Sequence, residues 1–417
     1  MRDKKMKKAK MMKKYAALIA NIGINANSKQ DVVIKAPVET YAFVRYLVME
    51  LYSAKARNVY VDWYDSSTTK QTLLHVAPSR LSEVPQWEIE REKERFENNV
   101  ARISLVGEDP KVFKLVKPER LSKYNKARVD AFSPYKKNYN NNDTAWCIAA
   151  VPTKKWAQAI FPNESPTQAV SKLWDAIYKT CRIDESTNTV EKWKDHIAEL
   201  KAHADKLNSY AFKELRYKNS LGTDLTIGLT EGHIWCSAEA LQKSLQNIFV
   251  PNLPTEEVFT MPDRNNVNGI VYASKPLFYS GTLIDGFWIK FENGKVVDYD
   301  AKEGKEALAD IINYDEGSSH LGEAALVPYD SPISKLDIIF QETLFDENAA
   351  CHIALGASFP ENIADGELLT EKELEARGAN QSKMHVDFMI GTSDLSIDGV
   401  KEDGTIVPVF RNGNFAF

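Results

Sequence analysis

Imidazole and carboxylate side chains set inside apolar sequence are the residues of this 417-residue chain that could do chemistry. One stretch is Thr343-Leu344-Phe345-Asp346-Glu347-Asn348-Ala349-Ala350-Cys351-His352, and another is Met384-His385-Val386-Asp387. Phe388, Met389 and Ile390 follow Asp387 directly, which argues against a solvated loop. Charged groups are rarely buried unless they are paired or hold a metal. In an extended strand His385 and Asp387 project to one face with Cα atoms ~6.5–7 Å apart, so both can reach one ion or two adjacent ions. Pro254-Thr255-Glu256-Glu257-Val258-Phe259 adds a pair of glutamates that, if extended, face opposite sides, so that one of them points at a given site. Glu323 opens a further apolar run in Leu321-Gly322-Glu323-Ala324-Ala325-Leu326. Two imidazoles and three carboxylates suit a pair of divalent ions, Zn, Co or Mn, better than calcium or a thiolate zinc site, and Mg completes the expected set of cofactor ions.

Other catalytic patterns are missing from the sequence. It contains no G-x-S-x-G elbow, no Walker loop and no H-E-x-x-H. Cys351 adjoins His352, but neighbours on a chain point apart and a nucleophile needs its base in space. His196, Glu199 and His203 share a helical face at i, i+3 and i+7. The two histidines are two turns apart, ~10 Å along the axis, too far to share an ion. They read as an exposed polar face. His75 and His320 also read as surface residues, and His233 is undecided.

The elements that must position these groups differ between the two halves. Asp31–Lys35 reads as a strand, Pro37 opens a helix at its favoured first position, and Asn58–Trp63 alternates as a second strand. Strand, helix, strand with short joins is a βαβ unit, which predicts a parallel sheet with a right-handed crossover. The first strand is not followed by G-x-G-x-x-G, so no dinucleotide site is implied. Glu88–Asn99, Pro166–Thr180 and Val190–Leu207 read as helices, Ala101–Val106 and Thr144–Val151 as strands, and Tyr135–Asp143 as a polar loop. After Asn219 turn signals come often: Asn268-Gly269, Asp285-Gly286, Asn293-Gly294, Asp398-Gly399, Asp403-Gly404 and Asn412-Gly413. Runs such as Phe287–Phe291 and Ile338–Phe340 lie between them, the pattern of hairpins. The expected fold is an α/β N-terminal domain with a parallel βαβ sheet over 1–218. A β-rich α+β domain over 219–417 carries the metal site.

Composition narrows the class. The chain is 43% hydrophobic and 27% charged with a net charge of −5, an ordinary globular mix that argues against nucleic acid as main partner. A run of ~18 apolar residues, the minimum for a membrane span, is absent. The lysine-rich start is followed by only six apolar residues, Tyr15–Ala20, and reads as a basic amphipathic helix ending near Gly23 rather than a secretory signal. Four dispersed cysteines fit reduced structural thiols in a cytoplasmic protein.

The phrases P-T-E-E-V-F-T (254–260), L-G-E-A-A-L-V-P (321–328), L-F-D-E-N-A-A-C-H (344–352) and H-V-D-F-M-I-G (385–391) resemble the thermophilic metallo-aminopeptidase family of the aminopeptidase T, aminopeptidase S and PepS type. The N-terminal Ala-Pro-Val-Glu-Thr and Val-Tyr-Val-Asp-Trp phrases are similar too. The resemblance implies a cytosolic homodimer that removes N-terminal residues from peptide substrates with two divalent ions. It implies Glu257, Glu323, His352, His385 and Asp387 as ligands; of these, Glu323 is the expected bridging carboxylate. Glu347 is a further ligand or a support behind them, and Glu256 a proton carrier by analogy with other dimetal peptidases. At the position seven residues after His352 the family places a tyrosine thought to assist the tetrahedral intermediate, whereas this chain has Phe359. A phenyl ring donates no hydrogen bond to an oxyanion. Phe359 therefore leaves open a relative that binds peptide without cleaving it. A dimetal hydrolase of another bond also stays open, although no arginine lies beside the ligands to serve a phosphoester.

Overall fold

The computed structural model describes residues 2–140, 142–279 and 281–417. They divide into two compact units, Met1–Asp195 with Glu239–Pro254, and His196–Ala238 with Thr255–Phe417. The expected division at 218 falls at the end of the strand Phe212–Lys218, which pairs with Asp224–Leu229 inside the second unit.

In the first unit the basic start forms the helix Arg2–Leu18, continued by a π-helical turn over Ile19–Gly23. The βαβ unit is present. Strands Asp31–Pro37 and Asn58–Tyr64 pair in parallel, and helix Tyr41–Ser53 between them buries Phe43, Val44, Leu47 and Leu51. Pro37 ends the strand instead of opening the helix, because a short 3-10 turn, Val38–Thr40, intervenes. Among the described residues the parallel sheet has five strands, in the order Asn58–Tyr64, Asp31–Pro37, Ala101–Val106, Trp146–Ala150, Asn252–Leu253. The polar loop expected over 135–143 is instead the end of a helix, Pro118–Asn140; Asn141 lies outside the described residues. Tertiary contacts override the polar composition there: the Tyr139 hydroxyl donates to the Val100 carbonyl and Arg102 sits over the Tyr139 ring. Among the described residues no helix is long and apolar enough to cross a membrane.

The second unit is built mainly of antiparallel sheet. Of its two larger sheets, one has eight strands among the described residues, with Phe212–Lys218, Asp224–Leu229 and Ser396–Lys401 at its centre. Asn293-Gly294 and Asn412-Gly413 close hairpins with both residues at positive φ, as a two-residue turn of matching twist requires. Asn268-Gly269 and Asp398-Gly399 are not turns; both lie inside strands, Pro262–Tyr272 and Ser396–Lys401. Ile338–Phe340 forms no strand; Phe340 is buried and stacks on Phe345 with centroids 4.5 Å apart. The other large sheet has four strands among the described residues, in the order Val258–Thr260, Leu321–Leu326, His352–Gly356, His385–Met389. This sheet carries Glu323, His352, His385 and Asp387, and Glu256 and Glu257 come just before its strand Val258–Thr260.

Candidate metal centre

Strand register brings the separated groups together. Glu323 lies opposite Ala354, which lies opposite Asp387, so two carboxylates flank one small side chain across three strands. His352 sits two residues before Ala354, and His385 two before Asp387, which puts all four polar side chains on one face. Phe259 pairs with Ala325, and the alternation carried back two residues puts Glu257 on that same face. His385 lies opposite Gly356, whose φ is +109° and where a Cβ would stand 2.2 Å from the Met384 carbonyl oxygen. Only glycine fits beside that histidine without shifting the backbone.

Two groups of possible ligand atoms result, each within 4.8 Å: Glu257, Glu323 and His352, and Glu323, His385 and Asp387. His352 Nε2 is 3.2 Å from Glu257 Oε2 and 3.6 Å from Glu323 Oε1. His385 Nε2 is 3.3 Å from Glu323 Oε2 and 3.1 Å from Asp387 Oδ1. Glu323 is common to both groups and spans them with its two oxygens. Each imidazole is oriented from behind: His352 Nδ1 lies 3.2 Å from the Ala350 carbonyl and His385 Nδ1 lies 2.7 Å from the Ala357 carbonyl. With Nδ1–H donating to a carbonyl, Nε2 is the nitrogen presented to the cluster, the arrangement a metal-ligating histidine needs.

The charges are strongly interdependent. Burial alone would raise the Glu323 pKa, but hydrogen bonds from His352 and His385 outweigh it and hold the carboxyl at about 2. Burial would lower both histidines; the hydrogen bonds of Glu257 and Glu323 on His352, and the charge of Asp387 on His385, raise both well above the ordinary imidazole value. Glu257 goes the other way: burial raises it more than His352 lowers it. Glu347 is raised by burial and then by the like charges of Asp387 and Glu257. A site with this surplus of carboxylate calls for cations.

The residues fit divalent ions on their own chemistry. Glu257 Oε2 is buried and receives no well-aligned hydrogen bond, although it lies close to His352 Nε2. The donor set is oxygen and imidazole nitrogen. The thiol of Cys351 is not part of it: the Sγ lies 3.3 Å from the Val327 carbonyl, and burial pushes its pKa up to about 12. Glu257, Glu323, His352, His385 and Asp387 would hold the ions.

The remaining candidates fall elsewhere. Glu347 is in neither group; it lies on the turn Glu347–Ala349, with Asn348 Nδ2 3.4 Å from its Oε1. Glu256 is also in neither group. It is buried rather than facing solvent, with Oε2 3.7 Å from His196 Nε2. His196 is therefore not on an exposed face: it is buried, and its Nε2 lies 2.9 Å from the Thr255 carbonyl. His320 too is buried, with Nδ1 2.9 Å from the Arg264 carbonyl, and His203 stacks on Phe415 with centroids 4.1 Å apart. Asn348 gave no sequence signal beyond its place in an apolar run. Fully buried, it accepts from the Glu256 N–H at 2.8 Å and donates to the Leu344 carbonyl at 3.0 Å, tying the Glu256-Glu257 segment to the segment of Glu347. Phe359 borders the site, its ring 4.9 Å from that of His385 and 6.2 Å from that of Phe259, centroid to centroid.

Residues 8–415 match the family described as Thermophilic metalloprotease (M29). The chain is 40% identical to Aminopeptidase 2 of Geobacillus stearothermophilus over 98% of both chains. It is 39% identical to Aminopeptidase T of Thermus aquaticus over 97% of this chain and 98% of that one. Among solved structures, wild-type AmpT from Thermus thermophilus superposes with a TM-score of 0.91 at 37% identity, covering 98% of this chain and 99% of that one.

Proposed function

Since the chain belongs to the thermophilic metalloprotease family (M29), we propose that its two carboxylate–imidazole groups hold two divalent ions, of Zn, Co, Mn or Mg, at one catalytic centre. The chain is a metallo-aminopeptidase, a hydrolase that removes N-terminal residues from peptides. The observation that supports two ions is the sharing of Glu323 between both groups of ligand atoms. Ions held there supply Lewis acidity to the scissile carbonyl and lower the pKa of water toward neutrality.

The chain's own residues do the rest. Glu323 keeps its negative charge, and the backbone carbonyls of Ala350 and Ala357 fix both imidazoles with Nε2 toward the site. Glu256, turned toward His196 and held through its N–H by Asn348, acts in this reading as a support for Glu257 rather than as the proton carrier. Peptides are the substrates. A homodimer is the assembly that the family resemblance implies, and the cytoplasm the compartment. The cysteines Cys147, Cys181, Cys236 and Cys351, which form no disulfide among the described residues, support a reducing compartment.

The test is release of p-nitroaniline from leucine p-nitroanilide by the metal-loaded protein. Turnover is expected with ions present and not after chelation. Turnover of p-nitrophenyl phosphate in place of the anilide would reject the peptidase reading. Phe359 gives a second measurement. A tyrosine at 359 would bring a hydroxyl to the edge of the site beside His385. Phe359→Tyr is expected to raise kcat by roughly 10-fold or more, because one oxyanion donor is typically worth ~10²–10³. An unchanged kcat would mean that another donor already fills the place.

A further inference from the structure

Beside the carboxylate–imidazole cluster lies a small cavity of about 30 Å³. That is room for two or so water-sized groups, since on this measure one water needs ~10–15 Å³. Leu277, Phe278 and Met389 give it an apolar side; Gln341, Glu347 and Asp387 give it a polar one. The polar side, which Glu342 and Thr343 complete, carries more acceptor oxygens than donors. Gln341 Oε1 is buried and accepts no hydrogen bond. Glu347 has Asn348 Nδ2 at 3.4 Å, and among the described residues no lysine, arginine or histidine forms an ion pair with it. Asp346 also lines the cavity, but its two oxygens already accept from the Phe340 and Glu342 N–H groups at 2.7 and 3.1 Å.

The geometry points to this cavity as the seat of the substrate's α-ammonium group, with Glu347 as its counter-ion and Gln341 Oε1 as a second acceptor. This deepens the aminopeptidase reading and rests on it. An ammonium brings a positive charge and three N–H donors, which is what the polar side lacks. It is small enough for the space, whereas an acetylated amine is larger and neutral. The apolar side accepts the first carbons of the substrate residue. Asp387 belongs both to the cavity and to the metal centre, so an ammonium seated here leaves the first peptide carbonyl next to the metal centre. Cleavage is thereby restricted to the N-terminal residue.

The experiment uses the full chain loaded with zinc and n-butylamine as the probe, with binding measured by calorimetry and by competition against leucine p-nitroanilide. Glu347→Gln is expected to weaken butylamine binding and raise KM by about 10- to 100-fold, the range of one charge-assisted hydrogen bond, with zinc content unchanged. Gln341→Met, which removes an acceptor away from the metal ligands, is expected to weaken the amine less, with zinc content again unchanged. Equal butylamine binding by the wild-type chain and Glu347→Gln would overturn the proposal. So would loss of zinc in Glu347→Gln, which would make that residue an ion ligand. If the wild-type chain does not turn over the anilide, the activity reading fails, while the calorimetric comparison still decides the cavity.

Discussion

Glu323→Gln is expected to empty both ion positions and reduce peptidase activity to background, a loss of at least ~10³-fold in kcat/KM. Glutamine keeps the volume but removes the one charge that both groups of ligand atoms share. Its amide N–H₂ would also point a donor at one of two imidazole nitrogens, His352 Nε2 or His385 Nε2, which now sit 3.6 and 3.3 Å from the carboxylate oxygens. Removing one member of a buried ion pair usually costs ~3–5 kcal/mol. Here the cost in the metal-free protein should be smaller, because the two imidazoles can release their protons and become neutral. The fold should therefore survive, with unchanged circular dichroism, while metal analysis shows the loss. His385→Ala is the informative contrast. It leaves Glu257, Glu323 and His352 in place, so about half the metal should remain while activity is still lost. Wild-type activity in Glu323→Gln would remove that residue from the centre; equal metal loss in both variants would argue for one ion in place of two.

What the sequence made legible follows from strand periodicity. His385 and Asp387, two residues apart in an apolar run, had to share a face. Glu256 and Glu257, one apart, had to part company. The structure turns Glu257 to the cluster and Glu256 to His196. Cross-strand register was not legible. Nothing local says that Ala354 stands between Glu323 and Asp387, or that the ladder shifts between Leu321 and Glu323 to bring that about. The errors have the same origin. His196 and His320 look like surface residues because their partners, the Thr255 and Arg264 carbonyls, are distant in sequence. Asn268-Gly269 and Asp398-Gly399 look like turns, but antiparallel pairing continues through both. Gly269 is needed there for a close approach, since a Cβ would lie 2.1 Å from the Asp224 carbonyl oxygen. The cavity at Gln341 and Glu347 was invisible for another reason: its apolar side comes from Leu277, Phe278 and Met389, far from those residues along the chain.

Chelation should abolish activity and also reverse the direction in which stability depends on pH. In the metal-free protein His352 and His385 have pKa values raised by their carboxylate partners. A raised imidazole contributes stability that is fully present below its unfolded value of ~6.5 and is lost as pH rises through the folded value. Glu257 and Glu347 add to this. Burial raises both, so the folded state retains protons that the unfolded chain has already lost above ~4.5, and stability falls as pH rises. Glu323 acts oppositely, but only in acid: held at about 2, its contribution is present above the unfolded value and is lost as pH falls toward 2. His203, His233 and His320, which burial lowers, act the other way below their unfolded value of ~6.5, so it is from about pH 6.5 upward that the folded metal-free chain binds more protons than the unfolded one and its Tm should decline. Metal binding has the contrary dependence, because both imidazoles must be neutral and the carboxylates ionised before they can ligate. Ions present at ~1,000 times their Kd stabilise by ~4 kcal/mol, and that increment grows as rising pH removes competing protons. The gap between the Tm of loaded and chelated protein should therefore widen between pH 6 and pH 8.5. A gap that stays constant across that range would mean that the five residues do not exchange protons for metal, and that the ions bind elsewhere.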